Sequence, residues 1–118
     1  MTTDQILSLD MRDAESAEKL QKALKKIKPF SKEEGKVRLE LIEKFLLKIC
    51  RKYVLKVQYI MPSMLTETMY YSLSVKRDDT HEWQGSVYGM TIYEVFAKAA
   101  VLLYSKVKKE NIPERVLK

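Results

Sequence analysis

The apolar residues of this chain change their spacing twice: from every third or fourth position to every second at Tyr53, and back again after Gly89. A helix repeats its buried face every 3.6 residues and a strand every 2, so the two switches mark a block of strands held between helical segments. Strands that follow one another directly, with short connections and no helix between them, pair antiparallel. The pattern therefore predicts an α+β fold, a three-stranded antiparallel sheet with helices packed on one face, in the order α-α-β-β-β-α.

Ala17, Leu20, Leu24 and Ile27 mark one face of a helix from about Ala14 to Ile27, capped by Asp13 and stopped by Pro29. Ahead of it, Ile6, Leu7, Leu9 and Met11 form either a short helical turn or a docking arm. Ser31-Lys-Glu-Glu34 has the form of a capping box and predicts a second helix reaching about Lys52, with Val37, Leu41, Ile42, Phe45, Leu46 and Ile49 buried. Strands follow at 53–61, ended by Pro62, at 68–77 and at 81–88, joined by a loop at 63–67 and by the turn residues Asp78-Asp79-Thr80. Alternation turns Tyr53, Leu55, Val57, Tyr59 and Met61 inward, with Met69, Tyr71, Leu73, Val75, Trp83 and Val87. Gly89 breaks the last strand, and Thr91-Ile-Tyr-Glu94 is a second capping box that opens a helix to about Lys109.

A length of 118 residues with 46% hydrophobic and 32% charged side chains suits one globular domain. It divides into an N-terminal arm and helix (1–30), an α-β-β-β-α core (31–109) and a loose polar tail (110–118). No apolar run approaches the ~20 residues that span a bilayer, so no membrane partner is expected. Met1 to Met11 lacks the basic start and apolar stretch of a signal peptide, and the lone Cys50 has no partner for an internal disulfide. These features predict a reducing, cytoplasmic setting. The net charge of +6 favours polyanions, though the excess is spread over both halves of the chain.

Catalysis needs a nucleophile, an acid–base pair or a metal in convergent geometry, and the residues for it are few. The single histidine, His81, falls at a turn beside Asp79 and Glu82. Cys50 falls on the apolar side of the second helix, where a thiol packs rather than reacts. Asp78 and Asp79 are ordinary turn residues without further oxygen ligands at calcium-loop spacing. No phosphate-cradling glycine loop or nucleophile elbow is present. The expectation is a protein with no catalytic site, no metal and no cofactor.

The outward face of the sheet is the candidate binding surface. It is expected to present Lys56, Gln58, Tyr70, Ser72, Ser74, Lys76, Gln84, Ser86 and Tyr88, tyrosines interleaved with lysines and amides. Such a face stacks bases, grips phosphates or anchors a protein interface. A secondary basic surface is Lys19, Lys22 and Lys26 with Lys25, where Glu15 and Glu18 stand four residues before Lys19 and Lys22. The last helix is apolar over more than half its circumference. Either the first helix covers its second face or a homodimer does.

Two resemblances bear on function. The α-β-β-β-α order over residues 32–109, with Ala97-Lys98-Ala99-Ala100 in the last helix, resembles double-stranded RNA-binding domains. That likeness implies direct nucleic-acid binding, but the start of the helix, Thr91 to Glu94, lacks the lysines that family uses there. The run Trp83-Gln-Gly-Ser-Val-Tyr-Gly89-Met-Thr91-Ile-Tyr-Glu94, leading into Ala97 to Ala100, is similar to the ending of small phage and prophage proteins described as α-β-α sandwiches. This implies a phage-encoded protein in a bacterial host cell, binding a host protein or ribonucleoprotein such as a CRISPR or other defence nuclease, as anti-CRISPR proteins do.

Overall fold

The computed structural model describes residues 2–64, 69–110 and 112–116, the side chains at 59–64 and 69 excepted. Its helices are α1 (Thr3–Leu7), α2 (Ala14–Lys25), α3 (Leu39–Lys52) and α4 (Ile92–Lys109), and its strands are β1 (Leu55–Met64), β2 (Met69–Arg77) and β3 (Trp83–Gly89). The strands form one antiparallel sheet in the order β1-β2-β3, and α3 and α4 lie on one of its faces. The segment ahead of α2 that could be a turn or an arm is the short helix α1, capped by Thr2.

α4 runs through the middle of the molecule. Val95, Ala97, Ala99, Ala100, Val101, Leu102 and Leu103 are all buried, because α3 and the sheet pack on one side of the helix while α1 and α2 pack on the other. The breadth of its apolar surface is thus met within one chain, and the ground for a homodimer through this helix falls away. Among the described residues no helix is long and apolar enough to cross a membrane.

Four expectations need correction. The second helix begins at Leu39, not near Ser31. Pro29 opens a 3-10 turn, Lys28–Phe30, and the Ser31 hydroxyl donates back to the Lys28 carbonyl at 2.9 Å, so it caps nothing ahead of it. Gly35, at φ +67°, then redirects the chain. Val37 is buried as expected but in extended chain: its N–H donates to Gln21 Oε1 (2.9 Å) and its carbonyl accepts from the Tyr93 hydroxyl (2.6 Å).

Pro62 does not end β1. The register shifts between Ile60 and Ser63, and this bulge on an edge strand accommodates a residue that cannot donate to the ladder. Tyr59, Met61 and Met69 lie outside the described side chains, and the expected loop residues 65–67 and strand start 68 outside the described residues.

Trp83 does not face the helices. The register slips between Val75 and Lys76, so Val75 pairs with Gly85 but Lys76 pairs with Trp83, leaving Gln84 as the extra residue of a bulge. Gly85 takes φ +147°, and a Cβ there would stand 3.3 Å from Leu102. The bulge reverses the alternation, and Trp83, 55% exposed, joins the outer face.

The tail is not loose where it is described. Val54 N–H donates to the Pro113 carbonyl, Arg115 N–H donates to the Lys52 carbonyl, and Ile112 is buried. The Arg115 guanidinium donates to the carbonyls of Cys50 (2.8 Å) and Leu55 (3.0 Å) and to Asp78 (2.8 Å), tying the end of α3 and the start of β1 to the β2–β3 turn.

Candidate functional site: the open face of the sheet

Cross-strand pairing builds the outer face row by row. Lys56, Lys76 and Trp83 form one row, Gln58, Ser74 and Ser86 the next, and Ser72 with Tyr88 a third. Tyr70 leans toward Tyr88, with ring centroids 6.2 Å apart. At the opposite end the Lys76 ammonium stands 5.4 Å from the Trp83 ring centroid, within cation–π range. Between them Ser72 and Ser74 are buried, the latter 1% exposed, and the Ser74 hydroxyl donates to the Gln58 carbonyl at 3.4 Å.

The structure therefore brings together Lys56, Gln58, Tyr70, Ser72, Lys76 and Tyr88 as expected, with the two serines buried rather than presented as contact groups. Gln84 departs: as the bulge residue it lines a shallow groove of about 380 Å³ beside Thr2, Thr3, Asp4 and Ser105. Trp83 takes a place on the face that alternation alone denied it.

Among the described residues this face carries no carboxylate. Of the acids at its lysine end, Asp78 meets Arg115 at 2.8 Å and Asp79 meets Arg77 at 2.6 Å, while the exposed Glu82 precedes Trp83 in the turn. At its tyrosine end Asp10 is paired with Arg12 at 2.6 Å, and hydrogen bonding to that guanidinium lowers its pKa to about 2. Lys56 and Lys76 stand directly opposite on neighbouring strands, an arrangement of like charges that costs stability when nothing lies between them.

Of the residues considered for catalysis or metal binding, His81 shares the β2–β3 turn with Asp78 and Asp79, whose carboxylates are held by Arg115 and Arg77. His81 is exposed in the β2–β3 turn with φ +60°. Cys50 lines an apolar groove of about 380 Å³ with Leu46, Leu47, Val57 and Phe96, and burial pushes its thiol pKa up, which keeps it protonated. Among the described residues no three His, Cys, Asp or Glu side chains gather where they could hold a metal ion.

On the secondary basic surface, Lys19 pairs with Glu15 (3.2 Å) and Lys22 with Glu18 (3.4 Å), so the uncompensated charge there comes from Lys25 and from Lys26, beside Lys108 and Lys109. A stronger stripe runs along α3, where Lys44, Lys48, Arg51 and Lys52 border the same concavity as Arg115 and the exposed Leu47. The four-residue spacing of Lys44, Lys48 and Lys52 was the signal that could have found it. The Glu94–Lys98 pair inside α4 was also missed. Glu94 N–H donates to the Thr91 hydroxyl as a capping box requires, but the Glu94 carboxylate accepts from the N–H groups of Met11 and Met90 instead of the cap residue's own.

Comparison of the chain with protein-family models, with curated proteins and with solved structures finds no match to any of the three.

Proposed function

We propose that this chain is a non-enzymatic binding module whose working surface is the open face of its sheet. The observation that carries this reading is a single one: two aromatic rings more than half exposed, Trp83 and Tyr88, share with Lys56 and Lys76 the sheet face opposite the helices, and among the described residues no carboxylate accompanies them. Exposed aromatics gathered on one face mark a place for a partner, whereas scattered ones need no explanation. Support for the non-enzymatic part comes from how the candidate groups are engaged: Asp78 and Asp79, in the same turn as the exposed His81, are bridged to Arg115 and Arg77, and burial keeps the Cys50 thiol protonated.

A phage-encoded modulator of a host protein or ribonucleoprotein, such as a defence nuclease, in a bacterial cytoplasm is the setting that the similar phage-protein endings support. In that setting the sheet face is the docking surface.

The test is retention of ligand from a bacterial lysate by the immobilised chain. A variant carrying Lys56→Glu, Lys76→Glu, Tyr70→Ala and Tyr88→Ala is expected to lose the retained protein or nucleic acid, while Lys19→Glu with Lys22→Glu keeps it. Full retention by the face variant, folded as the wild type is, would remove the sheet face from the account.

A further inference from the structure

We infer that the ligand of the open sheet face is single-stranded RNA, stacked on Trp83 and Tyr88 and held by Lys56 and Lys76; this rests on the reading of that face as the binding surface. Three features of the face separate an RNA strand from a protein partner.

The first is charge. Protein interfaces are depleted in lysine at their centres, yet here two lysines stand opposite each other with no acid on the same face among the described residues. A phosphate over this row would be met by both ammonium groups, with Lys76 leaving the Trp83 ring to reach it.

The second is the placing of the rings. Trp83 and Tyr88 stand on the same strand with the bulge residue between them, so their bases lie ~13 Å apart at ~3.3 Å per strand residue. Tyr70 widens the Tyr88 platform. A sheet that offers two separated rings takes bases that are already unpaired, because a duplex keeps its base faces stacked inside. Between the rings stands the row of Gln58, Ser74 and Ser86, whose central serine is covered by its neighbours.

The third is the polar lining. Gln58 and Ser86 flank Ser74 with groups that both donate and accept, the chemistry that engages a ribose 2′-hydroxyl. A deoxyribose strand lacks that hydroxyl.

Trp83 is the single tryptophan of the chain, so its emission reports on the proposed contact alone. The experiment titrates the full chain with ~12-nucleotide oligouridine and mixed-sequence single-stranded RNA, the matching single-stranded DNA and duplex RNA, at about 150 mM salt. It reads Trp83 emission together with polarisation of a labelled strand. Single-stranded RNA is expected to bind in preference and to quench Trp83. Trp83→Ala weakens that binding by about ten- to a hundred-fold, and Lys76→Glu weakens it most at low salt and makes its fall with rising salt shallower. Equal or tighter binding of DNA or duplex RNA would overturn the assignment. So would RNA binding that survives Trp83→Ala but fails on Lys44→Glu with Lys48→Glu, which would move the site to α3. If no RNA binds while the face still governs what is retained from lysate in nuclease-resistant form, this inference falls and the binding-module reading stands.

Discussion

Glu94 and Lys98 face one another one turn apart inside the protein, Oε1 to Nζ 3.5 Å, with side chains only 2% and 4% exposed. Each is also committed to backbone from elsewhere. Glu94 accepts from Met11 (2.9 Å) and Met90 (2.6 Å), and Lys98 donates to the carbonyls of Leu9 (2.5 Å) and Tyr88 (3.0 Å). The pair thereby fastens the N-terminal arm and the end of β3 to the central helix. Tyr88, a member of the proposed binding face, is held at its backbone by this buried ammonium.

Removing one member leaves the other charged and unpaired in a place closed to water. Lys98→Met is expected to cost about 3–5 kcal/mol of stability, read from the midpoint of urea unfolding. A loss below about 1 kcal/mol would mean that Glu94 finds solvent in the native state.

Gly89 leaves the room that Glu94 occupies. A Cβ at this position would come within 2.4 Å of Glu94 Oε2, closer than any real contact. Gly89→Ala should destabilise by about 1–3 kcal/mol, and most of that penalty should vanish in a Glu94→Ala background. Additive effects in this double-mutant cycle would show that the clash is not with Glu94.

Arg115 joins three elements through one guanidinium, with carbonyl partners at Cys50 and Leu55 and the carboxylate of Asp78. Arg115→Ala should cost about 2 kcal/mol and speed hydrogen exchange at the amides of Val54 and Arg115, whose own backbone bonds depend on the docked tail. Unchanged exchange there would show that the tail docks without its arginine.

His81 closes the β2–β3 turn in the left-handed region, where a side chain bears a steric cost of ~1–2 kcal/mol that glycine avoids. Against the greater freedom of glycine in the unfolded chain, His81→Gly is expected to raise stability by about 0.5–1 kcal/mol. Destabilisation would show that the imidazole makes a contact that outweighs the strain.

The α+β order, the antiparallel sheet and the helical face of α4 were legible because periodicity is a local property, and Leu73, Val75, Val87 and Leu103 repeat at the spacing their elements require. Trp83 was placed on the wrong face because one extra residue inverts everything before it, and nothing local says that Gln84 is that residue. The Ser31 box failed because the same residues also suit a 3-10 turn after Pro29, and the choice was made by Val37 docking between Gln21 and Tyr93, far away in sequence. Lys98 reads as a solvated lysine among alanines until the carbonyls of Leu9 and Tyr88 are brought to it. Of the candidate site, the residue types were visible and the row pairing was not. Only register sets Lys56 against Lys76 and Lys76 against Trp83.

The most direct test of the sheet face as the working surface is amide chemical-shift mapping of the chain as ~12-nucleotide single-stranded RNA is added. The account predicts that the largest changes fall on Lys56, Gln58, Ser74, Lys76, Trp83, Ser86 and Tyr88, with the Trp83 indole N–H moving most, and that α2 and α3 stay where they are. Changes confined to α3 around Lys44, Lys48 and Arg51, with the β3 signals unmoved, would contradict it.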